Sequence, residues 1–341
     1  MKHVLIKENE AGQRLDKYLH KCLKEAPGSF IYKMLRKKNI VLNGKKASGG
    51  EKLEIGDEIQ FFLSEETLDK MSGISPLISG ECPDKEIAEY EAAYDKYKEL
   101  EIIYENHHIL IVNKPGGILT QKAETGDLSL NEWFIGYMLY RGEIRREELR
   151  TFKPSVCNRL DRNTSGMVIC GKTLPGSQKM SELLKNRDLH KFYRLYVKGK
   201  VREASLIEGY LVKNEKRNTV KISPTPIQDK SSYIKTKYEP LEVFEDKTLL
   251  EVELITGKTH QIRAHLASIG HPLLGDYKYG DKNFNDSYKK KYKIKNQLLH
   301  AYRLEFPELD GEFGELSKRI FTAETPRIFY TLEESGQKQR I

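Results

Sequence analysis

The chain of 341 residues has no long apolar run. Its longest uninterrupted hydrophobic stretches are about four or five residues, far below the roughly 20 that a membrane-spanning helix needs. The opening, Met1-Lys2-His3-Val4-Leu5-Ile6-Lys7-Glu8, puts charges where a secretory signal needs an apolar core. Both absences predict a soluble, cytoplasmic protein without a membrane partner. Cysteine is scarce too. The four, Cys22, Cys82, Cys157 and Cys170, form no Cys-x-x-Cys pair, so neither a disulfide framework nor a cysteine-built zinc centre is expected. Internal repeats and long low-complexity tracts are also missing.

Charge is abundant, and its distribution is informative. The formal net charge is +8, which favours a polyanionic partner. Residues 1–63 carry 13 basic and 8 acidic side chains, a balance of +5, whereas residues 64–101 carry 4 and 11, a balance of −7. The remainder therefore holds +10. Two basic blocks flank an acidic stretch, as expected of two RNA-facing domains joined by a segment that stays off the RNA. The length suits two domains, one of them large.

In the first block, Leu15, Tyr18, Leu19, Cys22 and Leu23 recur at helical spacing. Pro27 and Gly28 break that helix, and Ser29 is placed to cap a second one that buries Ile31, Met34 and Leu35. Ile40-Val41-Leu42 reads as a strand, Asn43-Gly44 as a hairpin turn, and Glu58 to Leu63 as a closing strand. This order, with its RLDKYL helix, basic second helix and VLNGKKA turn, resembles the S4 RNA-binding domain over residues 1–63. The resemblance implies an RNA-facing surface formed by Arg14, Lys33, Arg36, Lys37, Lys38 and Lys45. Residues 64–98 read as an acidic linker, with a polar helix from Asp84 onward that has Tyr90, Ala93, Tyr94 and Tyr97 on one side.

From Glu101 the texture becomes strands with short helices. Ile109 to Val112, Met167 to Cys170, Phe192 to Val197 and Leu250 to Leu254 read as strands. Thr259 to Ile269 reads as a helix burying Ile262, Leu266 and Ile269, with Gly270 as its stop. The class is α+β: a large mixed, mainly antiparallel sheet flanked by helices over residues 99–325, preceded by the small α/β N-terminal domain. Residues 326–341 are a tail without a readable role, and the lysine-rich stretch Lys278 to Lys295 reads either as a second basic surface or as a solvated loop.

Three chemical signals fail on physical grounds. Gly166-Met-Val-Ile-Cys-Gly-Lys172-Thr173 matches the P-loop pattern, but its Met, Val, Ile and Cys prefer a buried strand. Pro175 and Gly176 also follow where the loop's helix should run. His260 and His265 are five apart, not the four that puts two ligands on one helical face, so no metal site is expected. Thr164-Ser165-Gly166 lacks the glycine of a nucleophile elbow, with Asn163 in its place.

A set of dispersed pieces remains. Asn158-Arg-Leu-Asp161-Arg-Asn-Thr-Ser-Gly166 sets an aspartate between two arginines; alone it reads as a structural ion pair. The others are Lys191-Phe-Tyr193-Arg-Leu-Tyr196, Thr259-His260-Gln-Ile262-Arg263-Ala-His-Leu266, the segment Gly270-His-Pro-Leu-Leu-Gly-Asp-Tyr-Lys-Tyr-Gly280, and Leu299-His-Ala-Tyr-Arg-Leu304. Together, from about Glu101 to Glu324, they resemble the bacterial large-subunit ribosomal RNA pseudouridine synthases, the RluA family. An S4-like domain ahead of the catalytic one resembles the C- and D-type members.

The resemblance implies an isomerase that breaks the N-glycosidic bond of a uridine, turns the base and rejoins it through carbon 5. That chemistry involves no redox change and no phosphate donor, so no cofactor and no nucleotide are expected. By the same resemblance Asp161 is the catalytic carboxylate and Arg263 holds it in position. Tyr193 stacks on the uracil and helps remove the carbon 5 proton. Arg159 fills the space left by the flipped base, Ile262 packs beside it, and Lys258 and His260 line the substrate site. Two positions depart from the family pattern: Asn158 stands where histidine is common and Lys258 where arginine is frequent, and a lysine cannot make arginine's forked contact. The expected substrate is 23S ribosomal RNA, with transfer RNA second and a monomer as the default state. A non-catalytic RNA-binding or ribosome-assembly factor is the competing reading, since a fold alone does not fix a function.

Overall fold

The structure, a computed structural model, describes residues 2–72, 84–227 and 231–337. The middle of the expected linker, with Cys82, and the last four residues lie outside the described residues.

The N-terminal unit packs two helices on a small antiparallel sheet. Its elements are β1 (Lys2–Leu5), α1 (Leu15–Cys22), α2 (Gly28–Arg36), β2 (Ile40–Leu42), β3 (Lys45–Lys46) and β4 (Glu58–Phe61), with strand order β1-β4-β2-β3. Leu15, Tyr18, Leu19 and Cys22 all face the core, because residues three and four apart share one face of a helix. Asn43 and Gly44 have φ of 52° and 69°, the left-handed pair that a two-residue hairpin turn demands. One detail differs from expectation. Pro27, with φ −59°, precedes α2 directly, and no side chain caps it. Ser29 lies inside the first turn, since proline's fixed φ already leads into helical geometry.

The acidic segment is not a free linker over its described length. Helix α3 (Glu65–Ser72) buries Leu68 in the N-terminal core. Helix α4 (Asp84–Lys96) buries Ile87, Tyr90 and Ala93 in the main core of the second unit. Its apolar residues form a stripe at helical spacing, and the stripe packs on α5 (Leu130–Tyr140). Gly136 makes that approach possible: a Cβ there would sit 2.2 Å from the carbonyl oxygen of Tyr90.

The second unit is built on an 11-stranded sheet. Its strands are β5 (Glu101–Glu105), β6 (Ile109–Lys114), β7 (Ser155–Val156), β8 (Ser165–Gly171), β9 (His190–Lys198), β10 (Ser205–Asn214), β11 (Thr219–Ser223), β12 (Ser231–Val243), β13 (Lys247–Leu254), β14 (Leu299–Glu305) and β15 (Ile320–Thr322). The order is β11-β10-β12-β13-β9-β14-β8-β6-β5, with β15 beside β14 and β7 beside β8. Among the described residues only the β14–β8 pair is parallel. Helices α6 (Leu174–Asn186), α7 (Gln261–Ser268), α8 (Lys282–Tyr292) and α9 (Arg327–Gln337) complete the unit.

Four further expectations are corrected. Helix α6 begins immediately after the P-loop-like segment, with Pro175 in its first turn and Thr173 Oγ1 accepting the Gly176 N–H at 3.1 Å. Proline is tolerated there because the first helical N–H groups have no partner to lose. The strand reading of Met167–Cys170 agrees with β8, every residue of which is buried. The lysine-rich stretch contains a helix, α8, because Phe284, Tyr288 and Tyr292 recur every fourth residue and stack inward. The tail packs as α9, with Phe329 and Leu332 buried against Tyr196 and Leu274. Ile269 lies past the end of α7 and is exposed.

Candidate active site

The sheet register brings the dispersed motifs together around β14. Tyr193 of β9 pairs with Ala301 of β14 on one side and Val252 of β13 on the other. Ala301 also pairs with Gly166 of β8. This last approach leaves no room for a side chain: Gly166 has φ +114°, and a Cβ would lie 2.3 Å from the Ala301 carbonyl oxygen. The loop carrying Asp161 enters β8 at this point, so the glycine of the RLDRNTSG segment fixes where the loop starts.

Backbone contacts hold that loop in shape. Thr120 Oγ1 donates to the Leu160 carbonyl at 2.8 Å and accepts the Leu160 N–H at 3.2 Å. The Asp161 carbonyl accepts the Thr164 N–H at 3.0 Å. Lys114, at the end of β6, is fully buried, and its Nζ donates to the carbonyls of Pro115, Ile118 and Arg162 at 2.9–3.2 Å. Burial pushes its amine down to about 7, with Asp161 pulling the other way. Asn158 is also committed to backbone: its Oδ1 accepts the Ile169 N–H at 2.7 Å and its Nδ2 donates to the Met167 carbonyl at 3.4 Å.

On the facing side, the segment after β13 folds over β12. Gln261 is buried; its Oε1 accepts from Thr256 Oγ1 and the Lys258 N–H, and its Nε2 donates to Thr236 Oγ1 and the Lys235 carbonyl. His260 precedes α7 in the left-handed region, with φ 55°. This turn aims Arg263 at Asp161, and Arg263 Nη1 donates to Asp161 Oδ2 at 2.8 Å. The same guanidinium makes a forked contact with Asp276, through Nε to Oδ2 at 2.7 Å and Nη2 to Oδ1 at 2.9 Å. Burial works against the charge of Arg263, but Asp276 and Asp161 more than offset it and its pKa rises. Burial likewise opposes the Asp276 charge, yet Arg263 and two backbone N–H groups hold its carboxyl below the ordinary value.

Tyr193 is buried beside the acid, and burial, reinforced by Asp161, pushes its phenol far above the ordinary range. His260 Nδ1 lies 2.8 Å from the Tyr279 hydroxyl and Nε2 lies 3.8 Å from Asp161 Oδ2. Burial lowers the pKa of this imidazole, against the pull of Asp161. These groups form the floor of a cleft of ≈ 1190 Å³, and ten basic residues against two acidic ones line it. Arg159, Lys258, Lys278 and Lys295 are among the basic ones. Ile262 borders a small recess that Asp161 and Tyr193 share.

The structure thus collects Asp161, Tyr193, Arg263, Arg159, Ile262, Lys258 and His260 in one place. Arg14, Lys33, Arg36, Lys37, Lys38 and Lys45 are all exposed on the N-terminal unit. Arg14 is tied to Asp16 at 2.7 Å, whereas the other five have no ion pair to a described residue. Sequence reasoning missed Asp276, Lys114 and Thr120. Asp276 had a visible signal, an acid in the otherwise apolar turn Leu273-Leu274-Gly275. Lys172, the lysine of the P-loop-like segment, is clamped between Glu105 and Glu143, 2.6 Å from each.

A carboxylate held by a guanidinium beside a tyrosine, in a cleft lined mainly by basic residues, is the arrangement expected of an enzyme acting on a polyanion. Comparison with known proteins gives the class. The RNA pseudouridylate synthase family model matches residues 108–268. Ribosomal large subunit pseudouridine synthase C of Vibrio cholerae is 32% identical over 309 residues, covering 88% of this chain and 87% of that protein. The Escherichia coli protein of the same name is 31% identical over 308 residues, with coverage of 90% and 88%. Among solved structures, human RNA pseudouridylate synthase domain containing 4 shares the fold, with a TM-score of 0.54 and 20% identity over 71% of this chain and 95% of that one. The chain belongs to the RNA pseudouridine synthases of the RluA family, and is an isomerase of that class.

Proposed function

We propose that the enzyme converts uridines of large-subunit ribosomal RNA, 23S in bacteria, into pseudouridine with Asp161 as the catalytic carboxylate. Two relatives carry large-subunit ribosomal RNA pseudouridine synthesis in their names. The observation that carries the residue assignment is the Arg263 guanidinium shared between Asp161 and Asp276 at the floor of the cleft. The target uridine leaves the RNA stack at a cost of a few kcal/mol, least in a loop. Tyr193 stacks on its uracil, Ile262 packs beside it, and Arg159 fills the gap in the RNA. Lys258 and the cleft-lining lysines hold flanking phosphates. His260, kept neutral by burial, lies where it can hydrogen-bond the substrate without competing with Arg263 for Asp161. The exposed cations of the N-terminal unit, in its S4-like arrangement, supply a second RNA contact.

The test uses purified enzyme on transcripts of large-subunit ribosomal RNA and of transfer RNA, with pseudouridines mapped at single-nucleotide resolution. The wild type is expected to modify defined loop uridines of the ribosomal transcript. The Asp161→Asn variant is expected to form none while still binding that RNA. Activity in the variant overturns the assignment of Asp161, and modification of transfer RNA alone overturns the substrate.

A further inference from the structure

The turn between β5 and β6 carries adjacent histidines, His107 and His108, that have no place in the isomerisation. Glu8, in the turn after β1, reaches them: its Oε1 lies 2.8 Å from His107 Nε2. One donor atom from each of Glu8, His107 and His108 lies within 4.8 Å of the others. Glu312 adds a carboxylate oxygen 3.8 Å from His108 Nε2. The geometry points to a binding site for a divalent transition-metal ion, Zn²⁺ by preference, held by His107, His108, Glu8 and Glu312 and fastening the N-terminal unit to the catalytic one.

The orientation of His108 is the second observation. Its Nδ1 lies 2.9 Å from Thr173 Oγ1, and its ring packs on Phe313 with centroids 4.9 Å apart. A ring fixed at Nδ1 presents Nε2 outward, and the 3.8 Å to Glu312 is beyond hydrogen-bond range. Metal-ligating histidines are held in this way, with the second ring nitrogen donating to an oxygen.

The clustered donor set is two imidazoles and one carboxylate, with Glu312 beside His108 as the second carboxylate. It suits Zn²⁺, which takes four such ligands at about 2.0–2.2 Å, and not Mg²⁺, which prefers oxygen ligands and keeps its waters. His107 is exposed and Glu8 half-buried, so their side chains have room to close the remaining distance without moving the backbone. The ligands come from three remote segments, which is why no local spacing reveals them. Strand β6 separates the histidines from Lys114 and the active site by its own length, about 20 Å. The metal is therefore structural, and it fixes how the N-terminal unit is presented relative to the cleft.

Tag-free full-length protein, stripped with a chelator, is titrated calorimetrically with Zn²⁺ and separately with Mg²⁺. One Zn²⁺ is expected to bind per chain and raise the melting temperature, with no response to Mg²⁺. His107→Gln and Glu8→Gln are each expected to weaken Zn²⁺ binding by about tenfold or more, since altered supporting contacts alone cost about 10- to 100-fold. No Zn²⁺ uptake by the wild type, or equal affinity in both variants, overturns the site.

Discussion

Replacing Asp276 by asparagine tests the part of the active site that the motifs do not display. Asp276 is 1% exposed, accepts two hydrogen bonds from Arg263, and accepts the N–H groups of Lys278 and Tyr279. Asparagine keeps the shape but turns one acceptor into a donor, which then faces a guanidinium that can only donate. Removing one partner of a buried ion pair costs about 3–5 kcal/mol. Arg263 keeps Asp161 as a counter-charge, so the low end, about 3 kcal/mol, is expected in urea denaturation. The larger effect is on rate. With one anchor gone, Arg263 no longer fixes where the Asp161 carboxylate sits, and a displacement of about 1 Å costs on the order of 100-fold. That loss is expected in single-turnover kcat, with RNA affinity little changed. The acid side of the stability curve gives an independent readout. The Asp276 carboxyl is held below its ordinary value, so its contribution is complete above the unfolded pKa of about 3.9 and disappears as pH falls through the lower folded value. The asparagine variant should lose that part of the acid dependence. A variant within about 0.5 kcal/mol of wild type, the range of ordinary surface changes, and with normal kcat would refute the shared-guanidinium account.

Gly166→Ala places a Cβ against the Ala301 backbone at positive φ. It should cost at least about 2 kcal/mol, measured as a lowered melting temperature. Changing Lys33, Arg36 and Lys37 together to glutamine should leave thermal stability unchanged and lower the salt dependence of RNA binding by about two to three in the log–log slope. An unaltered slope would remove the N-terminal unit from the RNA interface. Lys172 is held between Glu105 and Glu143, so wild-type protein should give no heat with ATP, and Lys172→Met should lose about 3 kcal/mol by leaving two carboxylates facing each other.

Sequence alone made the pieces of the candidate site visible, because Asp161, Tyr193 and Arg263 each sit in a short polar motif beside an apolar strand or helix. What it hid was their support. Thr120 clamps Leu160 across 40 positions, and Lys114 holds the Arg162 carbonyl across 48; neither spacing belongs to a helix or a hairpin, so no periodicity signals it. Helix α8 was hidden for another reason. Its Phe284, Tyr288 and Tyr292 stripe is interrupted by three lysines, and the charge run reads as solvated surface unless the aromatic spacing is weighed first. The segment 64–98 misled through composition, since acidity dominates an average that cannot show Leu68 and Ile87 each buried in a different core.

The charge layout of the site explains why one acid is enough. A polyanionic substrate should be repelled by two exposed carboxylates, yet Asp161 and Asp276 share one guanidinium, and the second acid is buried under it. Asp161, Asp276 and Arg263 together leave a small excess of negative charge, whereas the surrounding lining carries Arg159, Lys258, Lys278 and Lys295. On the proposed reading, phosphates are drawn to these cations, and the neutral ribose and base meet Asp161 at least electrostatic cost. Asp276 thereby has a role separate from holding Arg263: it cancels the guanidinium charge that would otherwise pull a phosphate into the place of the base. An Asp276→Asn enzyme should therefore also be more sensitive to inhibition by inorganic phosphate or pyrophosphate than the wild type, and equal inhibition constants in the two proteins would show that the surrounding cations alone sort phosphate from base.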